Sequence, residues 1–192
     1  MPLRTDPLLP GEYYHIYNRG INSTITFRES RNYFFFLRKI KEILLPNAAE
    51  IITYMLMPTH YHLLIQIKDE TFSSAMGRLI NSYTKAVNRE WRRTGPLFEG
   101  RFKAKHVDTD EYVLELSRYI HLNPAAANLV AHPDEWCYSS YTTIIGNKDG
   151  ILPVSDLISS YFINTDPKIG YQQFVEDSLE RKYSNISHLL FD

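Results

Sequence analysis

Two imidazoles separated by one residue, in His60-Tyr61-His62, are the sharpest chemical signal in the chain. On a strand, alternate side chains share a face, so the pair would stand side by side with Tyr61 anchoring the strand on the other side. Imidazole is a common ligand of divalent metals. Two such ligands call for a third group, usually an oxygen donor, with positions left for water and substrate. His-x-His is also short enough to arise as ordinary strand packing, and the Leu63-Leu64-Ile65 run after it indicates only a buried strand. A second signal lies in Arg118-Tyr119-Ile120-His121-Leu122-Asn123-Pro124, where Tyr119 and Asn123 are four residues apart. On a helix that spacing puts a phenol and an amide oxygen on one face, one turn from each other. A tyrosine, with an unperturbed pKa of about 10, needs help to attack a phosphodiester at neutral pH, and a metal that polarises the phosphate lowers the barrier. The competing reading packs Tyr119 in the core and uses Asn123 to end the helix ahead of Pro124.

Periodicity supplies the elements that must position these groups. Glu12 to Asn18 is rich in residues suited to a pleated, half-buried surface and ends at Arg19-Gly20, which predicts a first strand and a turn. Ser30 is expected to cap a helix carrying Tyr33, Phe34, Leu37, Ile40 and Leu44, closed by Pro46-Asn47. Ile51–Met57 and His60–Ile67, joined by Pro58-Thr59, read as two central strands that must run antiparallel. Ser73 or Ser74 would cap a second helix to about residue 93, with Met76, Leu79, Ile80, Tyr83 and Val87 inward, and Thr94-Gly95-Pro96 would break it. Phe102–Val107 alternates like an exposed edge strand, and Thr109 or Asp110 opens a third helix that reaches Asn123-Pro124. The order βαββαβα predicts an α+β fold, helices packed against a mostly antiparallel sheet. Beyond Gly146 the sequence is turn-rich, with one further helix expected around Tyr171 to Arg181.

With 192 residues, 44% hydrophobic and 22% charged, the chain is long enough for a core without disulfide staples, and its one cysteine, Cys137, cannot form an internal bridge. That points to a reducing compartment, and no apolar run approaches the roughly 18 residues of a membrane span. Cytoplasmic residence with no membrane partner is the expectation. The net charge of −1 conceals an asymmetry: residues 1–77 sum to +1, 78–106 to +6 and 107–192 to −8. The basic segment holds Arg78, Lys85, Arg89, Arg92, Arg93, Arg101, Lys103 and Lys105, with Tyr83, Trp91, Phe98 and Phe102 interleaved. It is either a track for nucleic-acid phosphates, with Trp91 or a neighbour stacking a base, or a solvated face balanced by the acidic last third. Tyr83 is a rival nucleophile, but Asn88, five residues on, turns off its face. His15, His106 and His121 could tune a site or contact phosphate, although packed or surface roles are commoner, and His121 would point away from Tyr119 on a helix.

Together these segments resemble the single-tyrosine transposases of the HUH endonuclease superfamily, most closely the REP-associated tyrosine transposases. Gly11 to Gly20 is similar to the family's opening strand, and Met57-Pro58-Thr59-His60-Tyr61-His62-Leu63-Leu64 to its histidine-hydrophobe-histidine motif. Gly95 to Lys103 resembles the segment before the last core strand, Tyr119 to Pro124 the tyrosine block, and Trp136-Cys137-Tyr138-Ser139-Ser140-Tyr141 the segment after it. The resemblance runs from about residue 11 to 145, with a weaker echo in Tyr171 to Glu176. It implies a ferredoxin-like or RRM-like core, with residues 1–145 as the catalytic domain and 146–192 as a helical appendage. It further implies a site-specific endonuclease and strand transferase acting on single-stranded or hairpin DNA with Mg²⁺ or Mn²⁺. Tyr119 would form a 5′-phosphotyrosine, while His60, His62 and Asn123 hold the ion; many relatives carry glutamine at the amide position, so Asn123 requires a closer helix end. Such a protein would work at the nucleoid, with a homodimer open as an alternative to a monomer. Two other classes fit less of the sequence: a DNA-binding module derived from such a transposase, and a metal-dependent phosphodiesterase without a covalent intermediate.

Overall fold

In a computed structural model, residues 7–180 are described. Four strands, β1 (Tyr13–Arg19), β2 (Ala49–Leu56), β3 (His60–Ile67) and β4 (Lys103–Val107), form one antiparallel sheet in the order β2-β3-β1-β4. Helices α1 (Ser30–Ile43) and α2 (Phe72–Glu90) cover one face, and α3 (Asp110–Ala126) packs on the other. The expected α+β architecture and its βαββαβα order are therefore present. Because side chains alternate along each strand, the sheet separates two cores. Tyr14, Ile16, Tyr61 and Leu63 pack with Phe36, Leu37, Met76, Leu79 and Tyr83, whereas Met55, Leu64 and Val107 pack with Val113, Leu116 and Ile120.

The last part of the described chain is not loosely attached. Helix α4 (Tyr141–Ile144) is followed by α5 (Leu157–Ser160) and α6 (Pro167–Glu180), and Tyr171 and Val175 of α6 enter the core beneath α3. A buried polar chain ties the two helices. Ser117 Oγ donates to the Leu114 carbonyl at 2.7 Å and accepts from Tyr171 Oη at 3.1 Å. The Tyr171 oxygen lies 2.6 Å from His121 Nδ1, and His121 Nε2 lies 2.8 Å from Ser140 Oγ. His121 points away from Tyr119, as its position on a helix requires, and holds α3 in place from behind. Tyr171→Phe is expected to cost about 1–3 kcal/mol, since it strands buried partners of that hydroxyl; urea unfolding would measure it.

Several boundaries differ from the sequence reading, each for a local reason. Glu29, not Ser30, is the cap residue of α1: its backbone carbonyl accepts the Asn32 N–H at 2.8 Å, and Asn32 Oδ1 accepts from the Glu29 N–H at 3.0 Å. Thr71 precedes α2 in place of Ser73 or Ser74, and α2 stops at Glu90 because Arg92 turns left-handed at φ 51°. Ile80 is only half-buried. Pro124 lies inside α3, which continues to Ala126; Leu129 N–H reaches back to the Pro124 carbonyl at 2.9 Å. A proline near a helix end deletes one hydrogen bond of a turn that is about to terminate, so the chain tolerates it there. Strand β2 is at the sheet's margin, not its centre. It is nevertheless buried, because Leu56 N–H donates to Tyr138 O at 3.0 Å, Ser140 N–H to Tyr54 O at 3.0 Å and Ser155 N–H to Ile51 O at 2.7 Å. The expected last helix is α6; its continuation to Arg181 lies outside the described residues.

Candidate active site

Strand register places the groups. Opposite residues of antiparallel neighbours share a face, so Met55, His62, Tyr17 and Lys103 form one row across the four strands, on the side covered by α3. Arg19 lies opposite His60 and Lys105 opposite His15, both on that same side. The His60 and His62 rings are 5.0 Å apart and nearly perpendicular. Each is anchored through Nδ1: Thr59 Oγ1 lies 2.9 Å from that atom of His60, and His15 Nε2 lies 2.8 Å from that of His62. A cation would therefore take Nε2 of both. The turn feeding β1 into this region depends on Gly20, whose N–H donates to Thr59 O at 2.7 Å; a Cβ there would meet Thr24 O at 2.1 Å.

Helix α3 delivers the remaining groups onto the pair. Thr109 caps it, accepting the Tyr112 N–H at 3.1 Å, and its buried face of Val113, Leu116 and Ile120 sets its rotation over the sheet. Tyr119 then meets His62 edge-on, with ring centres 5.6 Å apart. One turn later the Asn123 amide faces both sides of the site, favouring imidazolium on His60 and phenolate on Tyr119. The four residues singled out as Tyr119, His60, His62 and Asn123 thus converge, although two come from β3 and two from α3. A neighbouring pocket is lined by Tyr17, Asn18, Arg19, His60, Tyr61, His62, Glu99 and Lys103. Arg19 and Glu99, paired at 2.8 Å across its rim, were not anticipated; Arg19 read only as part of a turn.

Burial governs the electrostatics. It pushes the Tyr119 phenol up to about 12, the Asn123 amide opposing, so the resting group is protonated at neutral pH. It lowers His60 to about 4 and His62 well below its usual range, and the neighbouring His15 and His60 push His62 further in that direction. Neutral imidazoles are the form a metal requires. Two of them with anchored Nδ1 atoms, beside a carboxamide within reach, are a suitable donor set for a divalent cation. Among the described residues no group of three or more His, Cys, Asp or Glu side chains could hold a metal ion. A third donor here would be the Asn123 amide.

His15 is lowered to about 3 and His121 to about 3, chiefly by burial. The sign follows directly. The unfolded chain binds these protons first, so stability is complete above the unfolded value of about 6.5 and falls as pH drops below it, by up to about 1.4 kcal/mol per pH unit for each such histidine. Urea titrations at pH 7, 6 and 5 should show that decline.

The basic residues do not gather in one place. Lys103 and Lys105 share the face of His62, with ammonium groups 5.8 Å from the Tyr17 ring centre and 5.6 Å from that of Tyr112. Arg78, Lys85 and Arg89 are exposed on α2, which covers the opposite face, and Arg92, Arg93 and Arg101 lie in the loops between α2 and β4. Trp91 carries the Arg28 guanidinium over its ring at 4.2 Å. Tyr83 is sealed beneath the other face of the sheet and donates to Thr26 O at 2.8 Å, which separates it from the histidine pair. His106 pairs with Glu12 at 2.8 Å on the surface.

A family model described as an IS200-like transposase matches residues 11–123, a span that contains both histidines, Tyr119 and Asn123. The chain belongs to the IS200-like transposase family. Among solved structures, a REP-associated tyrosine transposase bound to a REP hairpin is similar, with a TM-score of 0.65 and 17% identity over 82% of this chain and 93% of that one. At that identity the likeness concerns the fold, and it extends into the segment after residue 123, where α4 and α6 support the transposase core. No curated protein matches the chain by sequence. No helix among the described residues of this transposase is long and apolar enough to cross a membrane.

Proposed function

We propose that this IS200-like transposase cleaves and rejoins single-stranded, hairpin-forming DNA through a phosphotyrosine at Tyr119, with His60, His62 and Asn123 as ligands for Mg²⁺ or Mn²⁺. The observation that carries the reading is the meeting of β3 and α3: the Tyr119 ring stands 5.6 Å from that of His62, and the Asn123 amide acts electrostatically on both Tyr119 and His60. A bound divalent cation would polarise the scissile phosphate and stabilise charge developing on its oxygens.

The protein's own groups do the rest. Tyr119 Oη attacks phosphorus, forming a phosphotyrosine on the 5′ side and breaking the bond to the 3′ oxygen; the phenol loses its proton and the leaving oxygen gains one. Asn123 orients the phenol and favours its ionised form, opposing the burial that otherwise keeps it protonated. Because the phosphodiester's energy is retained in the tyrosyl ester, attack by another 3′-hydroxyl joins a new strand without a nucleotide cofactor. Lys103, beside the histidine pair, and Lys105, on the same strand and face, would hold flanking phosphates. The relative solved with a REP hairpin supports a DNA hairpin as the substrate class.

The test is incubation with labelled hairpin DNA and Mn²⁺, followed by denaturing electrophoresis. A covalent protein–DNA band is expected. Cleavage with no such band would favour a phosphodiesterase, and binding with neither a bare DNA-binding module. For the phosphate contacts, Lys103→Ala should weaken single-strand binding and flatten the dependence of log K on log salt by about 0.7. An unchanged slope would remove Lys103 from the track.

A further inference from the structure

His15 lies at the centre of β1, 1% exposed, where the sheet packs against α3. Its Nε2 is 2.8 Å from His62 Nδ1, and its ring lies beside those of His62, at 5.1 Å, and Tyr17, at 4.7 Å, which are themselves 6.2 Å apart. Its Nδ1 is buried and has no hydrogen-bond partner. A buried polar atom left unsatisfied is destabilising, and an apolar residue at this position would avoid that cost. The side-chain hydrogen bond that offsets it is the one to His62.

That bond decides more than orientation. Between two neutral imidazoles one nitrogen donates and the other accepts, so a single proton position fixes both tautomers. When His62 donates through Nδ1–H, its Nε2 carries a lone pair. When His15 donates instead, His62 must carry its proton on Nε2 and cannot ligate through that atom. We infer that His15 is a positioning residue for the metal centre: it accepts the His62 Nδ1 proton and so holds His62 in the tautomer that presents Nε2 to a cation. The role rests on the metal reading above. Thr59 stands in the equivalent place beside His60 Nδ1, at 2.9 Å.

The experiment uses the full chain and Mn²⁺ alone, by titration calorimetry without DNA. His15→Leu, which can neither accept nor donate, should weaken Mn²⁺ binding by about 10- to 100-fold, the usual cost of losing such a support. His15→Gln, whose amide oxygen can still accept, should stay within about threefold of wild type, and affinity for hairpin DNA without metal should be unchanged in both. Long-range ¹H–¹⁵N spectra of the wild-type imidazoles with saturating Mg²⁺ should show His62 protonated on Nδ1. A His62 proton on Nε2 in that complex overturns the assignment, and does so even where the leucine variant fails to fold. Equal Mn²⁺ affinity in wild type and His15→Leu overturns it too while leaving the metal reading intact. A wild-type protein that binds no Mn²⁺ removes the metal reading itself, and this role with it.

Discussion

Tyr119→Phe is expected to lower cleavage of hairpin DNA by on the order of 10³-fold or more and to eliminate the covalent adduct, because the attacking oxygen is gone. The substitution is conservative in every other respect. The ring remains to pack edge-on against His62, so the site should keep its shape, and a half-buried hydroxyl contributes at most about 0.5–1.5 kcal/mol to stability. DNA affinity should change by less than about twofold, since phosphate contacts supply binding separately from chemistry. Tyr83→Phe is the control. Tyr83 is sealed on the far side of the sheet with its hydroxyl committed to Thr26 O, so its loss should cost stability and leave the adduct in place. An adduct that survives in Tyr119→Phe and disappears in Tyr83→Phe would reverse the assignment.

That each half of the site holds its pair on one face was legible from spacing alone, because both periodicities are rigid; that the halves meet was carried by the family resemblance. A two-residue repeat on a strand fixes which histidines share a face, and a four-residue step on a helix fixes that Tyr119 and Asn123 do. Other features depended on register between distant strands, which no local pattern encodes. Arg19 stands opposite His60, and Lys103 joins the row of His62 and Tyr17, only because β1 pairs with β3 and β4 at that particular offset. For the same reason His15 could be named as a residue able to tune the site, but its bond to His62 could not be foreseen. The basic segment misled in the opposite way. Contiguity in sequence suggested one track, yet α2 covers one face of the sheet while Lys103 and Lys105 point from β4 to the other, so Arg78, Lys85 and Arg89 are separated from them. The inward face of β2 was read as that of a central strand. Its burial has another source, the segment from Trp136 to Ser155, which closes the margin with backbone bonds and with Trp136 Nε1 donating to Leu56 O at 3.0 Å.

The two histidines should separate chemistry from folding when each is replaced by alanine. Both variants are expected to lose metal-dependent cleavage by on the order of 10²-fold or more, because either one leaves a single imidazole and an amide for the cation. Their stabilities should differ. His62 is fully buried, stacked on His15 and bonded to it, so His62→Ala opens a cavity and strands His15 Nε2; a loss of about 2–4 kcal/mol is expected. His60 is half-buried at the pocket's mouth, bonded to Thr59 at its edge, and His60→Ala should cost about 1 kcal/mol or less. Cleavage assays with Mn²⁺ beside urea unfolding of the same preparations make the comparison. Hairpin affinity measured with EDTA present should be retained in His60→Ala, since that variant keeps Lys103, Lys105 and the fold. If His60→Ala cleaves as wild type does, the paired imidazoles are a packing motif and the metal reading fails. If it loses cleavage and affinity together while remaining folded, the pair binds DNA and does not activate it.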